Sequence, residues 1–333
     1  MALRHLRTVR VVTSLLLFLP ALFLFTDLTG VLPPAAVAAF TSVQLVPGIV
    51  KLLSGLALSA AGLALVVLLT LSFGRVYCST ICPLGTLQDL FSRLNRKRNS
   101  RRRFLFRRQN YLLHYGILGL TAALALGGSL FLLNFLEPFS NFGRTVVTLV
   151  RPVALLLNNG TAWLLGAAHV YLFFTVPFHI PSPAAFALTS IFAGVLFTMS
   201  YMRGRLFCNT LCPAGALLGL IARVSLFRIV IDKSACKDCG LCEKVCKAGC
   251  IDSENMRVDF SACVGCFNCF DACPTVGLRY RVPRGGARGS SLRPVNRRRR
   301  TLLRNGAGAA LMVFPGKDTL RAVLPVPTGK SMS

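Results

Sequence analysis

The chain has 333 residues, of which 54% are hydrophobic and only 15% charged, and its formal net charge is +27. This composition is typical of a membrane protein with basic edges. It argues against a nucleic-acid-binding domain, because the lysines and arginines lie between long apolar segments rather than on a polar domain.

Four apolar segments are long enough to cross a bilayer as helices, which takes about 20 residues each. They cover about residues 11–32, 52–73, 111–133 and 184–202. The first is interpreted as a retained helix rather than a signal peptide, since no convincing cleavage site follows it. The sequence therefore predicts about four transmembrane helices.

The lysines and arginines collect at the N terminus and in the link between the second and third apolar segments. Because positively charged loops stay in the cytoplasm, both termini are predicted to be cytoplasmic in a multi-pass protein of the bacterial inner membrane. The segment 134–183 must then stay on the outer side, and an Asn-Asn-Gly sequence interrupts its apolar run. We predict an outer interfacial or re-entrant helix there, with Trp163 and Tyr171 as interface anchors.

Segments 74–85 and 204–215 share a pattern in which two cysteines four apart precede a proline. The match predicts two parallel repeats related by an axis along the membrane normal. Cysteines four apart on a helix are spaced too widely for a disulfide, so a shared metal or redox partner suits them better. If the axis brings both pairs together, they form one site of four thiols: Cys78, Cys82, Cys208 and Cys212. A third iron-sulfur cluster, redox-active or metal-handling thiols, and structural cysteines remain open for this site.

The composition changes near residue 228 to a soluble module that is dense in cysteine. Residues 1–227 are thus predicted to form a membrane domain, and residues 228–282 a cytoplasmic α+β ferredoxin domain with short strands and two helices. Residues 283–333 form a basic tail, interpreted as disordered or as a remnant of a fusion. The predicted fold class is a mainly α membrane protein with a C-terminal α+β domain of the bacterial two-[4Fe-4S] ferredoxin type.

The thirteen cysteines stand in clusters next to segments expected to face a reducing cytosol, which favours metal ligation over disulfides. A run of the form Cys-x2-Cys-x2-Cys-x3-Cys-Pro starts at Cys263, and a partner run, with Lys247 where proline is usual, starts at Cys236. In two-cluster ferredoxins the fourth cysteine of each run binds the other cluster. Two [4Fe-4S] clusters are predicted, the first held by Cys236, Cys239, Cys242 and Cys273 and the second by Cys263, Cys266, Cys269 and Cys246.

Some of these residues have alternative roles. Zinc bound by four thiolates competes with the clusters, but two interleaved runs at this spacing favour iron-sulfur chemistry. Cys250 lies four residues after Cys246 and could take its ligand role; the three-residue spacing favours Cys246 and leaves Cys250 as a small buried apolar side chain. His114, His169 and His179 could bind haem or a quinone headgroup, but structural or interfacial roles are favoured.

The chain resembles the NapH-type quinol dehydrogenase membrane subunit and the polyferredoxin half of NosR-type proteins over about residues 8–282. The resemblance rests on the paired Cys-x3-Cys-Pro motifs, the two cluster runs, and the link LEPFSNFGR from Leu136 to Arg144. It implies electron transfer between quinone or quinol and another redox protein, such as a periplasmic iron-sulfur protein, with no nucleic-acid partner. If the chain is an enzyme, the resemblance implies a quinol dehydrogenase subunit, and no catalytic residue is assigned.

Two other functions remain open because function depends on the sites rather than on the fold. A metal-handling or assembly factor similar to the CcoG-type copper-reducing proteins would use the four repeat thiols to bind or reduce an incoming metal. A redox-sensing regulator would carry clusters without turnover, although nothing in the chain resembles an output domain.

Overall fold

The computed structural model describes residues 2–27, 30, 32–53, 57–98, 104, 106, 109–167, 169, 174–177, 182–275 and 277–282. The predicted basic tail, Tyr171 and His179 lie outside the described residues. The described part is mainly helical, with strands only in the cysteine-rich module, and the predicted fold class is confirmed.

The first half of the membrane part contains two long helices and one bent pair. Its helices are α1 (Ala2–Thr26), α2 (Pro34–Ser42), α3 (Leu45–Leu53), α4 (Ala57–Phe73), α5 (Tyr77–Thr80) and α6 (Pro83–Arg98). The axes of α2 and α3 differ by 107°, which is the geometry of a broken span or a re-entrant loop.

The second half repeats this order with a longer middle segment. Its helices are α7 (Tyr111–Leu126), α8 (Phe131–Leu136), α9 (Pro138–Thr145), a π-helix (Val146–Val150), α10 (Arg151–Ala167), α11 (Pro183–Arg203), α12 (Leu206–Thr210) and α13 (Pro213–Ala222). Each half thus runs from a long helix through a broken segment to a second apolar helix, a cysteine turn and a helix that starts at proline.

Five of the described helices begin at a proline, which fits the first helical position because the missing N–H group would have no partner there. Pro83 and Pro213, which close the two cysteine motifs, are among them. These prolines therefore start α6 and α13, so that each second cysteine lies at the junction of two helices.

The cysteine-rich module is a small α+β unit. It contains β1 (Arg228–Ile231), α14 (Leu241–Lys244), β2 (Ile251–Asp252), β3 (Arg257–Val258), α15 (Asn268–Ala272) and β4 (Leu278–Arg281). Strands β1 and β4 pair antiparallel, with Ile231 opposite Leu278, and β2 pairs antiparallel with β3. The pairing of the first and last strands holds the two cysteine runs together.

Among the described residues, two helices are long and apolar enough to cross a membrane, 5–26 and 183–203, and the bent pair α2–α3 would make a third. They correspond to the first and last predicted spans. At the second predicted span the structure has the end of α3 and the 17-residue helix α4, and at the third it has the 16-residue helix α7 followed by α8.

Residues 138–167 form one uninterrupted helical stretch that includes a π-helical turn at Val146–Val150. This stretch packs against α1 and α11. It covers much of the segment predicted to be interfacial or re-entrant, and Trp163, one of its predicted anchors, is exposed.

Candidate iron-sulfur and thiol sites

The first predicted set of cluster ligands lines one cavity, which we call cavity one. Cys236, Cys239, Cys242 and Cys273 surround a volume of about 430 Å³ with apolar neighbours that include Leu278. Three of the cysteines come from the loop before and within α14, and the fourth follows α15. The grouping across the two runs is the one that the spacing predicts.

The second predicted set lines a separate cavity, cavity two, of about 320 Å³. Its cysteines are Cys246, Cys250, Cys263, Cys266 and Cys269. The loop that supplies three of them passes through Gly265 and Phe267, both with positive φ (61° and 56°), which lets the chain wrap tightly. Thiolates from such loops are the donors that bind [4Fe-4S] clusters, so both cavities fit the predicted cofactor.

The two cavities differ in their access to solvent. In cavity one Cys239 is exposed and the other three cysteines are partly buried, whereas all five cysteines of cavity two are buried. Within the part of the chain that the structure describes, no three His, Cys, Asp or Glu side chains converge closely enough to hold a single metal ion.

Cys250, the cysteine without a predicted ligand role, lies in cavity two beside its competitor. Its Sγ is 3.5 Å from Sγ of Cys246. Their contact lowers the pKa of Cys246 to about 7 and raises the pKa of Cys250 well above its usual value. Since the thiolate is the metal-binding form, these directions favour Cys246, the predicted ligand.

The four cysteines of the repeats are also brought together and buried; we call this group the four-thiol site. Cys78 lies in α5 and Cys82 two residues after its end, and Cys208 lies in α12 with Cys212 two residues after its end. Burial raises the pKa of Cys82 and of Cys212, and the neighbouring Cys208 raises both further. The thiols of the two repeats are thus close enough to interact electrostatically.

Two arginines at equivalent positions of the repeats cross over to support this site. Arg205 Nη1 donates a hydrogen bond to the carbonyl oxygen of Cys78 at 2.6 Å, and Arg75 Nη2 donates to that of Cys208 at 3.0 Å. Both side chains are buried, with 1% of their surface exposed. Each repeat therefore supplies a cation and two hydrogen-bonded contacts that the other repeat depends on.

A buried carboxylate next to the four-thiol site pairs with three cations, Arg205 and two others. Asp89 on α6 accepts from Arg205 Nε at 2.9 Å, lies 3.2 Å from Lys247 Nζ, and pairs with Arg10. Burial opposes the ionised form, but Arg205, Lys247 and Arg10 together hold the pKa of Asp89 well below its usual range. Asp89 therefore joins α1, the second repeat and the cysteine-rich module.

Hydrogen bonds connect the residues around cavity two directly to the two repeat motifs. Arg75 donates to the carbonyl of Ser261 at 2.9 Å, and the backbone N–H of Arg205 donates to the carbonyl of Lys247 at 2.9 Å. The amide of Asn209 donates to the carbonyls of Ala248 and Ala262, both at 3.2 Å. Cys266 of cavity two belongs to the same buried core as Cys78, Cys82 and Cys212.

Some of these residues could have been recognised as special from the sequence. Arg75 and Arg205 follow a glycine at the same place in both repeats, directly after an apolar span, where a buried charge is costly and marks a special role. Lys247 follows the fourth cysteine of its run, at the position where proline is usual. His114 is buried, with Nδ1 2.6 Å from the carbonyl oxygen of Asn209.

Comparison with known proteins shows what the chain is similar to. A family model described as a 4Fe-4S binding domain matches residues 56–101 and 185–233, which contain the two Cys-x3-Cys-Pro motifs. The ferredoxin-type protein NapH of Haemophilus influenzae is 29% identical over 227 residues, covering 65% of this chain and 66% of that protein. The ferredoxin-type protein MauN of Paracoccus denitrificans is 29% identical over 175 residues, covering 52% and 48%.

A protein named "Putative electron transport protein YccM" from Escherichia coli strain K12 is 28% identical over 225 residues, covering 65% of this chain and 54% of that protein. The chain thus spans about half to two thirds of the length of these relatives. No solved structure matches. The resemblance predicted from the motifs is confirmed: the chain is a membrane iron-sulfur protein related to the NapH and MauN group of ferredoxin-type electron-transport proteins.

Proposed function

We propose that the chain relays electrons between the quinol pool and a redox partner protein through two [4Fe-4S] clusters. The first cluster is held by Cys236, Cys239, Cys242 and Cys273, and the second by Cys263, Cys266, Cys269 and Cys246. The observation that carries this proposal is the placement of the cavities: cavity two lies against the four-thiol site, and cavity one reaches the surface at Cys239. A relay needs a buried site where electrons enter and an exposed site where a partner protein exchanges them.

An iron-sulfur cluster supplies single-electron storage when it is bound, and the residues around it set how readily the electron arrives. Lys247 is buried next to Cys246 and interacts electrostatically with Cys266. A positive charge at this place favours the more negative, reduced state. The apolar walls of cavity two, among them Val264 and Phe267, exclude water and strengthen this effect.

The redox partner is proposed to dock over cavity one, the open end of the relay. Cys239 and Lys237 lie at its exposed rim, with Asp238 between them. By the distribution of arginines this face is cytoplasmic in an inner-membrane protein with both termini inside. A periplasmic iron-sulfur protein would then have to receive electrons from the opposite side, through the four-thiol site.

For the four-thiol site we propose a third iron-sulfur cluster. The family model described as 4Fe-4S binding covers the two repeats and stops before the first ferredoxin cysteine, Cys236. The buried guanidinium groups of Arg75 and Arg205 supply two positive charges next to four thiolates, which offsets part of their negative charge. The donor set and its counter-charges thus suit a cluster.

Metal handling is the second candidate function, and the four buried, unpaired thiols of the repeats are the observation that favours it. Thiolates bind soft metals such as Cu(I), and clusters nearby could supply the electron for reduction. Under this alternative, Cys208→Ser abolishes copper reduction while both ferredoxin signals persist.

The test is anaerobic purification of the full chain, followed by iron and sulfide quantitation, EPR and reduction by quinol. We expect about twelve irons per chain in the wild type and about eight in Cys78→Ser, since each [4Fe-4S] cluster carries four. Quinol should bleach the cluster absorbance. Bleaching by dithionite but by no quinol would exclude the quinol relay, and equal iron in both proteins would exclude the third cluster.

A further inference from the structure

Three polar side chains are buried together in the apolar core of the membrane part. Gln44 and Glu137 each have 1% of their surface exposed, and Tyr77 has 3%. Gln44 lies at the bend between α2 and α3, and Glu137 lies at the break between α8 and α9, so both stand at the broken segment of their own half. Breaks and ionisable groups inside apolar helical bundles are costly and mark substrate sites.

The amide of Gln44 has an unsatisfied donor. Its Oε1 accepts a hydrogen bond from the hydroxyl of Tyr77 at 3.0 Å, and that hydroxyl accepts one from the backbone N–H of Leu45 at 3.0 Å. The Nε2 group of Gln44 has no hydrogen-bond partner. A buried, unpaired amide group is unfavourable by about 1–3 kcal/mol, so an oxygen atom of a ligand would satisfy it.

Glu137 approaches the same place from the other half. Its carboxylate accepts hydrogen bonds from the backbone N–H groups of Phe139 (3.0 Å) and Ser140 at the start of α9. The helix N terminus stabilises its negative charge and burial penalises that charge, which suits a group that takes up and returns a proton. Glu137 interacts electrostatically with Tyr77, and the rings of Phe40 and Phe139 lie 6.3 Å apart between the two broken segments.

The four-thiol site is adjacent. Tyr77 directly precedes Cys78, and its phenol interacts electrostatically with both Cys82 and Cys78. Leu45, Tyr77, Cys78 and Cys82 belong to one buried core. A molecule bound at Gln44 and Glu137 would therefore lie next to the redox end of the proposed relay.

The second repeat shows that the hydroxyl of Tyr77 is not needed for the cysteine turn. Phe207 occupies the equivalent position before Cys208 and is just as buried, with 2% exposed. The fold of the turn therefore tolerates a ring without a polar atom. The polar group is confined to one repeat, as expected of a ligand site rather than of a structural requirement of both.

We infer that Gln44, Tyr77 and Glu137 bind the headgroup of a quinol, an inference that rests on the proposed relay. Gln44 Nε2 donates to one ring oxygen, and Glu137 accepts the proton of a ring hydroxyl. Both O–H bonds break and both C–O bonds become C=O. One proton passes to the Glu137 carboxylate and the other to water, and the two electrons reduce two [4Fe-4S] clusters of the proposed relay by one electron each.

The test compares Gln44→Leu, Tyr77→Phe and Glu137→Gln in the full chain in lipid nanodiscs. Asn134→Leu, an exposed change on α8, is the matched control. With duroquinol as the probe, Glu137→Gln should lower kcat about a hundredfold, the size expected for loss of a general base. Gln44→Leu and Tyr77→Phe should raise KM about fivefold each, the size of a lost hydrogen bond. Binding of duroquinone, followed by titration calorimetry, should weaken in step with KM.

Iron content and the rate of dithionite reduction should match the wild type in Tyr77→Phe, since Phe207 occupies the same turn. If Glu137→Gln loses iron, the KM values and duroquinone binding of Gln44→Leu and Tyr77→Phe still test the site. Unchanged kcat, KM and duroquinone binding in the variants, with an active wild type, would overturn the site and leave the relay standing. A wild type reduced by dithionite but by no quinol would overturn the relay and the site together.

Discussion

Arg205 of the second repeat donates a hydrogen bond to the carbonyl oxygen of Cys78 in the first repeat at 2.6 Å. The contact is possible because residue 85 is glycine. A Cβ atom at Gly85 would lie 2.4 Å from Arg205 Nη1 and 2.2 Å from the Cys78 carbonyl oxygen, well inside contact distance. Gly215 makes the same room for Arg75 and Cys208.

We therefore expect Gly85→Ala to separate the repeats and to destabilise the protein by about 1–3 kcal/mol, the usual cost of overpacking a core. The iron attributed to the four-thiol site should fall while the two ferredoxin EPR signals remain. Gly116→Ala on α7 is the control, because its added Cβ would have no atom within 4 Å. A Gly85→Ala protein with the melting temperature and iron content of the wild type would contradict this prediction.

Lys247 is expected to set the reduction potential of the cluster in cavity two. Its buried ammonium group lies 3.2 Å from Asp89 Oδ1 and interacts electrostatically with Cys266. Removing the positive charge in Lys247→Met should lower the midpoint potential by about 50 mV, roughly a tenfold change in a one-electron equilibrium. Redox titration followed by EPR measures this shift.

Two comparisons isolate the effect of the buried charge. Lys247→Arg keeps the charge and should stay within about 20 mV of the wild type, less than half the shift that the buried cation gives. The exposed Lys233→Met removes the same charge where water screens it. Equal shifts in Lys233→Met and Lys247→Met would refute a local role for Lys247.

Asp89 should make stability depend on pH. Its pKa is held well below the usual range in the folded protein, so its contribution to stability is complete above the unfolded value of about 3.9. That contribution is lost as the pH falls through the folded pKa. Asp89→Asn should lower stability at pH 7 by about 3–5 kcal/mol, because it leaves buried cations uncompensated.

The difference in melting temperature between the wild type and Asp89→Asn, followed by circular dichroism, should thus stay constant from pH 7 to about pH 4 and shrink only as the pH falls below the unfolded value of about 3.9. Asp271→Asn is the control, since the Arg7–Asp271 pair is partly exposed and such pairs contribute about 1 kcal/mol or less. A difference that stays constant below about pH 3.9, or that already shrinks between pH 7 and about 5, would show that Asp89 is not the group responsible.

Cys250→Ala is expected to retain both ferredoxin clusters, with unchanged iron, sulfide and EPR spectra. The reason is that Cys246 is the predicted ligand, and Cys250 only contacts it, at 3.5 Å between the two Sγ atoms. Cys246→Ala should instead alter or remove the signal of the cluster in cavity two, with Cys250 next to the vacated position. Loss of iron in Cys250→Ala but not in Cys246→Ala would reverse the assignment.

The grouping of the cysteines could be predicted because it depends on short spacings. Two or three residues between thiols fix a tight loop, and the fourth cysteine of each run follows a short helix and lines the other cavity. The same holds for the repeat: Cys78 and Cys208 occur in matching sequences, and the structure places them next to each other. These local spacings determine the grouping independently of how the long helices pack.

The broken segments and the buried charges could not be predicted in this way. A hydropathy window over residues 52–73 reads one apolar run, which corresponds to α4, while most of the bent pair α2–α3 lies before that window. The window cannot register the 107° bend before it, since both arms are apolar. Asp89 is buried where cations distant in the sequence meet it, and Glu137 is buried where it caps the start of α9.

The crossed arginines bear on how such a chain arose. Since Arg75 completes the motif around Cys208 and Arg205 the motif around Cys78, a single half would have been complete only when paired with a second copy of itself. A symmetric dimer of half-length chains would make the same two contacts across its interface. After the halves were joined they could diverge: the position of Asp89 is taken by Gly219 in the second copy, where the carbonyl of Ser261 now rests.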